Sequence, residues 1–394
     1  MNRIQAQRGQ AICSVVGGLV FDGHGFMPAD IQIDNGHFTE IPLPYPDGDP
    51  LNASGCYVIP GLIDLHFHGC KGEDFSDGSA TGLHTIAAYE AYEGITAICP
   101  ASMTLSHEHL IKAFANAAAF KPLENEAALV GINMEGPYIS PQKLGAQNPA
   151  YVRPASVSEF EELQNAAQGL VKLVDVAPEI PGTLEFVSQI SKGEGRCADG
   201  EPARVSLAHT CAGYDCAREA FAHGANHMTH LFNAMPGLHH RDPGPIAAAA
   251  ENPAVMAELI CDGVHVHEAM VKLAFKLFGS NRIILISDTM RACGLNDGTY
   301  DLGGQEVHVK GSQATLKDGT LAGSVTNLMH CLQTAIHMGV PVADAMNAAT
   351  INPARALHID SERGSIEPGK IADAVILDAD YHVQHVIARG CLVR

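Results

Sequence analysis

The 394-residue chain contains no run of 18 apolar residues, so no segment is long enough to cross a membrane as a helix. Paired cysteines are also missing. The 11 cysteines are odd in number and scattered, with no CxxC spacing, which argues against a disulfide framework and for reduced thiols in the cytoplasm. Basic residues are scarce, with 24 Lys+Arg against 44 Asp+Glu and a formal charge of -20. That surplus repels nucleic acid and anionic membrane, so neither is expected as a partner, and an anionic ligand needs a local basic pocket. Sequence repeats and low-complexity tracts are absent. At the N-terminus, Arg3 and Arg8 precede "AICSVVGGLVF" in the manner of a signal peptide. Gly17-Gly18 interrupt that run and no small-residue cleavage site follows, so it reads as a pair of strands.

What remains is an ordinary globular composition, 46% hydrophobic and 17% charged, with 21 clustered histidines. Both ends are rich in short alternating runs broken by Gly, Pro and Asp: "SVVGGLVFDG" and "DIQIDNGHFTEI", then the loop "PLPYPDGDP", and finally "GSIEPGKIADAVILDADYHVQHVIARGCLVR". Residues 1–58 and 360–394 are expected to form one small β domain. Between them lie eight continuous apolar runs: "YVIPGLIDLHFHG", "TAICPASM", "ALVGINMEGPYI", "VKLVDVAPEI", "RVSLAHT", "HMTHLFNAM", "VMAELICDGVHV" and "RIILISDTM". Helical segments such as "SEFEELQNAAQ" and "HEAMVKLAFKLFG" separate most of them. Apolar strands alternating with helices suit a parallel sheet, and eight such units over residues 59–359 predict an α/β, TIM-like (β/α)8 barrel.

The polar residues at the ends of these runs carry the chemistry. In "VIPGLIDLHFHG", His66 and His68 are i and i+2, so on a strand they share a face. Alone, the pair is equally two exposed loop histidines. The other runs end comparably: Glu135 in "NMEGP", His209 in "LAHT", His230 in "THLFNAM", His265 in "CDGVH" and Asp288 in "ISDTM". In a barrel of this kind, strand C-termini converge on one face, where catalytic groups lie. Imidazole and carboxylate ligands without thiolate suit Zn²⁺, Fe²⁺, Mn²⁺ or Co²⁺ rather than Ca²⁺. Glu135, His209 and His230 offer three ligands and leave a position for water, and Asp288 is the candidate acid/base: the layout of a hydrolase.

Several stretches, "PGLIDLHFHG", "EGPYIS", "AHT", "THLFNAMPGLHHRDPG", "DGVHV", "SDTMRACGLNDGTYDLGG" and "GTLAGS", resemble the amidohydrolase superfamily. More narrowly, "EGP", "THLFNAM" and "MRACGLNDGTY" resemble the N-acetylglucosamine-6-phosphate deacetylases. The resemblance runs from residue 57 to the C-terminus. It implies hydrolysis of the acetamide of a phosphorylated amino sugar with one or two divalent transition ions, Zn²⁺ or Fe²⁺, in a homodimer whose site is completed across the interface. Glu135, His209 and His230 match the metal ligands, and Asp288 matches the acid/base. A second ion on His66, His68 and Asp288, bridged by Glu135, is the two-metal alternative. Ala146, Gln147, Asn233, Ala234, Arg241, His265, Leu321, Ala322 and Gly323 match substrate-binding positions. Asn233, Ala234 and Arg241 fall on the phosphate.

Two positions depart from the family pattern. Gln147 stands where histidine is usual near the reacting end of the sugar, which leaves another epimer, such as N-acetylgalactosamine 6-phosphate, as the rival substrate. Cys211 stands where asparagine is frequent and is expected to be a small buried filler. More distant readings are a cyclic-amide or amino-acid amidohydrolase and a barrel without catalysis. Many of the former use a carboxylated lysine at the end of strand four, where this chain has "DVAPEI".

Overall fold

The computed structural model describes residues 9–40 and 48–394. Arg3, Arg8 and the greater part of "PLPYPDGDP" lie outside the described residues. The last two residues of that loop, Asp49 and Pro50, open a short strand, Asp49–Asn52, parallel to Ile12–Phe21.

The middle of the chain forms the barrel. Its strands are β1 (Leu62–Asp64), β2 (Ile95–Ile98, continued by Ala101–Ser102), β3 (Ile132–Met134), β4 (Val171–Val176), β5 (Arg204–Leu207), β6 (His227–Met228), β7 (Met256–Ile260) and β8 (Ile283–Ile286). Each pairs in parallel with the next, and Pro100 breaks β2 into two pieces. The circle closes just beyond the strands, where Asp288 N donates to His66 O (2.9 Å) and His68 N donates to Thr289 O (2.7 Å). β4 is buried at all six positions, as a strand covered on both faces must be.

Helices return the chain between strands. Ser156 caps Val157–Ala166 by accepting from Glu159 N, and Glu268–Phe278 buries Val271, Ala274, Phe275 and Phe278, a spacing that lays one stripe on the barrel.

The strands at the two ends of the chain pair into a separate sheet. In spatial order it runs Cys391–Leu392, Val383–Ala388, Ala374–Leu377, Tyr57–Pro60, Ile12–Phe21, Phe26–Asp34 and His37–Thr39. Its own core includes Val15, Ile31, Val58, Ile376 and Ile387. Gly17 has φ +76° at a bulge between Val15 and Gly18, and a Cβ there would meet Ser54 Oγ at 2.6 Å. The glycine pair that interrupts the N-terminal run is therefore a bend within one strand.

One element has no counterpart in the sequence reading. After β8, the strands Gly298–Leu302, Gln305–Lys310 and Gln313–Thr315 form an antiparallel sheet. Leu302, Val307, Val309 and Ala314 pack on Met103, Met290 and Ala322, and Leu302 reaches the cleft described below. Gly303-Gly304 between two alternating runs is the hairpin signal that could have found it.

Candidate active site

At the C-terminal ends of the barrel strands, Glu135 sits at the centre of four imidazoles. Its Oε1 lies 3.0 Å from His209 Nε2, 3.1 Å from His230 Nε2 and 3.5 Å from His66 Nε2. Its Oε2 lies 3.2 Å from His68 Nε2. Asp288 Oδ1 is 3.3 Å from His68 Nε2 and 3.9 Å from His66 Nε2. All six residues are buried.

The backbone aims these groups. His209, His230 and Asp288 all have positive φ, at +43°, +27° and +48°, just past β5, β6 and β8. Asn, Asp and His tolerate this region best among residues with a Cβ, and such strain gathers at functional sites. Asp288 is clamped on both sides of its peptide, donating to His66 O and accepting from Ser324 N at 2.7 Å. Gly136, after Glu135, has φ +80°, and a Cβ there would come within 2.1 Å of Thr104 Oγ1. Glycine is required at that turn.

The donor inventory shows what the centre can hold. His209 Nδ1 is 2.8 Å from Lys143 O, His68 Nδ1 is 3.2 Å from Ala101 O, and His66 Nδ1 is 2.8 Å from Glu258 Oε2. Each of these nitrogens must donate, so in the neutral ring the Nε2 lone pair points at Glu135. A lone pair facing a carboxylate needs a proton or a cation between them. His209 Nε2 and His230 Nε2 are 3.1 Å apart, and His66 Nε2 is buried with no hydrogen-bond partner among the described residues. A tetrahedron of Zn–N bonds has edges of about 3.3 Å, close to these spacings. Two buried groups that share Glu135 bring three possible ligand atoms within 4.8 Å of one another and could hold an ion: Glu135 with His209 and His230, and Glu135 with His66 and His68.

The electrostatics agree. Burial alone would lower His68, but Asp288 and Glu135 raise it to about 10. Burial would raise Glu135 and Asp288, but the histidines around them hold both carboxylates below their ordinary range. A cation binding here displaces those protons. A further group, Asp378, Asp380 and His382, lies in a mostly exposed turn, where such clusters are common without an ion.

A cleft of about 360 Å³ opens onto the centre. Among the residues expected to bind substrate, Ala146, Gln147, Asn233, Ala234, His265, Leu321 and Gly323 line it. Ala234 has φ +51° and its carbonyl accepts from Thr210 N at 3.1 Å. His265 Nδ1 is 2.7 Å from Asp262 Oδ2; burial lowers its pKa, but Asp262 more than offsets this and raises it.

Two positions fall elsewhere. Ala322 is buried in the core beneath the extra sheet. Arg241 is exposed, does not line the cleft and has its Nη1 2.7 Å from His240 Nε2, so this chain does not bring it to its own site. Gln147 lines the cleft but is tied down: Nε2 donates to Glu135 Oε2 at 2.7 Å and Oε1 accepts from Thr104 N at 2.7 Å. Cys211 is half-buried rather than a core filler, because its Sγ turns to Gln142 Oε1 at 3.7 Å on the cleft side.

Sequence reasoning missed Glu258, the partner of His66. It also missed Asp64, whose carboxyl accepts from Ser287 Oγ and is raised by burial to about 7. Both are charged residues inside apolar strand runs, and that anomaly was the available signal.

A model of the amidohydrolase family matches residues 57–393. The chain belongs to this family. Among its relatives, an N-acetylglucosamine-6-phosphate deacetylase of Bacillus subtilis (strain 168) is 39% identical over 341 residues, covering 84% of this chain and 83% of that protein. An N-acetylgalactosamine-6-phosphate deacetylase of Escherichia coli O157:H7 is 35% identical over 345 residues, covering 85% and 87%. The fold is similar to that of the Mycobacterium smegmatis N-acetyl-D-glucosamine-6-phosphate deacetylase solved with N-acetyl-D-glucosamine-6-phosphate. The TM-score is 0.87 and the identity 30%, over 98% of this chain and 100% of the other. The only lysine of β4, Lys172, pairs with Asp199, and the carboxylate at the centre is Glu135 from the end of β3.

Proposed function

We propose that the chain hydrolyses the acetamide of N-acetylglucosamine 6-phosphate to acetate and glucosamine 6-phosphate. The carrying observation is the buried Glu135–histidine centre with Asp288 beside it, in a chain 39% identical to a deacetylase of that name. Glu135, His209 and His230 hold a divalent transition ion, Zn²⁺ or Fe²⁺, with His66 and His68 available for a second. When bound, such an ion lowers the pKa of water and polarises a carbonyl oxygen.

The chain's own residues do the rest. Asp288 is held as a carboxylate by the histidines beside it and faces the cleft. It takes the proton of the attacking water and delivers it to the amine nitrogen as the C–N bond breaks. His265, oriented by Asp262, and Asn233 and Ala234 bind the sugar phosphate, while Ala146, Leu321 and Gly323 close the walls. Gln147 cannot carry a proton as histidine would, and its amide steadies Glu135.

Arg241 is the phosphate ligand of a second copy in a homodimer. Its exposure outside its own cleft supports this. The test is acetate release from a panel of N-acetylhexosamines with and without the 6-phosphate. Turnover of the glucosamine compound well above its galactosamine epimer supports the reading. The reverse order assigns the chain to the other epimer, and activity on none of them refutes it.

A further inference from the structure

Among the buried carboxylates that the reaction above does not use, one touches an imidazole of the centre directly. Glu258, in the middle of β7, is fully buried. Its Oε2 lies 2.8 Å from His66 Nδ1 and accepts from His230 N at 3.2 Å; its Oε1 lies 3.0 Å from His227 Nε2. One side chain thus joins the end of β1 to β6.

The contact with His66 differs from those that His68 and His209 make through the same ring nitrogen. His68 and His209 fix their Nδ1 on main-chain carbonyls, which no substitution removes. His66 uses a side-chain carboxylate. That anion keeps the proton on Nδ1, leaves the Nε2 lone pair directed at Glu135, and makes the ring a stronger donor to a cation. His66 belongs to only one of the two candidate metal groups, the one with His68 and Glu135. We infer that Glu258 is the positioning residue that governs occupancy of a second divalent cation at His66, His68 and Glu135, independently of the ion at Glu135, His209 and His230. The inference rests on the reading of this centre as a metal site.

Glu258→Gln separates the charge from the packing. The amide oxygen can accept from His66 and from His230 N. The amide nitrogen can donate to His227 Nε2, because His227 Nδ1 has no hydrogen-bond partner among the described residues and can take the ring proton. Stripped protein is reloaded with Zn²⁺ at buffered free concentrations and bound zinc per chain is measured. Wild type is expected to bind two ions. E258Q is expected to keep the affinity of one and to weaken the other by about 10- to 100-fold, the usual cost of losing such a partner. His227→Gln, which leaves His66 and Glu258 paired, should bind both ions as wild type does. Should E258Q fail to fold, Glu258→Asp, which keeps the charge but withdraws it by one methylene, serves in the same comparison.

Equal weakening of both ions, or the same loss in H227Q, would show that Glu258 only supports the barrel and overturns the inference. A wild type that binds one ion overturns it as well. A wild type that binds none refutes the metal centre itself.

Discussion

At the scale of single residues, the proposed function divides chemistry from recognition between Asp288 and Arg241. Asp288 reaches the centre through one oxygen, 3.3 Å from His68 Nε2, while its peptide is fixed from both sides. Replacement by Asn keeps the shape and removes the proton acceptor. Asp288→Asn is expected to lower kcat by about 10²- to 10⁴-fold with at least one ion retained, read from acetate release and elemental analysis of the same sample. Loss of a bound ion relative to wild type would assign Asp288 chiefly to metal binding instead. Arg241 presents a planar fork suited to phosphate oxygens. Arg241→Ala should cost about 1.5–3 kcal/mol with the phosphorylated sugar, on the order of 10- to 150-fold in kcat/KM, and little with the unphosphorylated one. Equal losses on both sugars would mean that Arg241 supports its loop.

At the scale of elements, the loop from Gly136 to Val152 carries Lys143, Ala146 and Gln147 over the cleft. Arg153 anchors its far end. The guanidinium pairs with Glu159 at 2.6 Å and donates to Leu105 O and Tyr151 O, and the Tyr138 hydroxyl donates to the same carboxylate. Burial raises Glu159, but Arg153 and Tyr138 outweigh it and hold the carboxyl below its ordinary range. The sign follows from linkage: the contribution is fully present above the unfolded pKa of about 4.3 and is lost as pH falls through the lower folded value. Glu159→Gln is expected to cost on the order of 1–2 kcal/mol at pH 7, as for a half-buried charge-assisted pair, and less below pH 4. Denaturant titrations at both pH values measure this; a cost that grows with acidity would contradict the assignment.

For the whole molecule, the charge of -20 works against an anionic substrate, so capture must be local and the local cation must come from somewhere. Lys143 of the same chain lines the cleft, and in the proposed homodimer Arg241 of a second copy would add a guanidinium to it. Arg241→Ala and Asp288→Asn chains, each impaired alone, should recover activity when co-expressed, because a mixed dimer contains one cleft with an intact Asp288 and an intact partner Arg241. Absence of recovery in a verified mixed dimer would place Arg241 in its own chain's site. Chelation should abolish turnover and added Zn²⁺ or Fe²⁺ should restore it. Full activity of metal-free protein would end the proposed mechanism.

The sequence determined the barrel because its strands are short, apolar and separated by helices, a pattern that composition alone makes parallel. It also determined which polar residues meet, since those that end the runs have one shared destination once the strands lie side by side: Glu135, His66, His68, His209, His230 and Asp288 converge as their positions imply. Tertiary structure alone decided what stands behind and over that set. Glu258 meets His66 across 192 residues of chain, and a lone glutamate in "AELI" gives no hint of its partner. The sheet Gly298–Thr315 gains its place only by packing on Met103 and Met290, and Arg241 sits in the right motif yet outside its own cleft. Local pattern fixes which face a side chain takes. Which distant groups share that face depends on how the barrel closes.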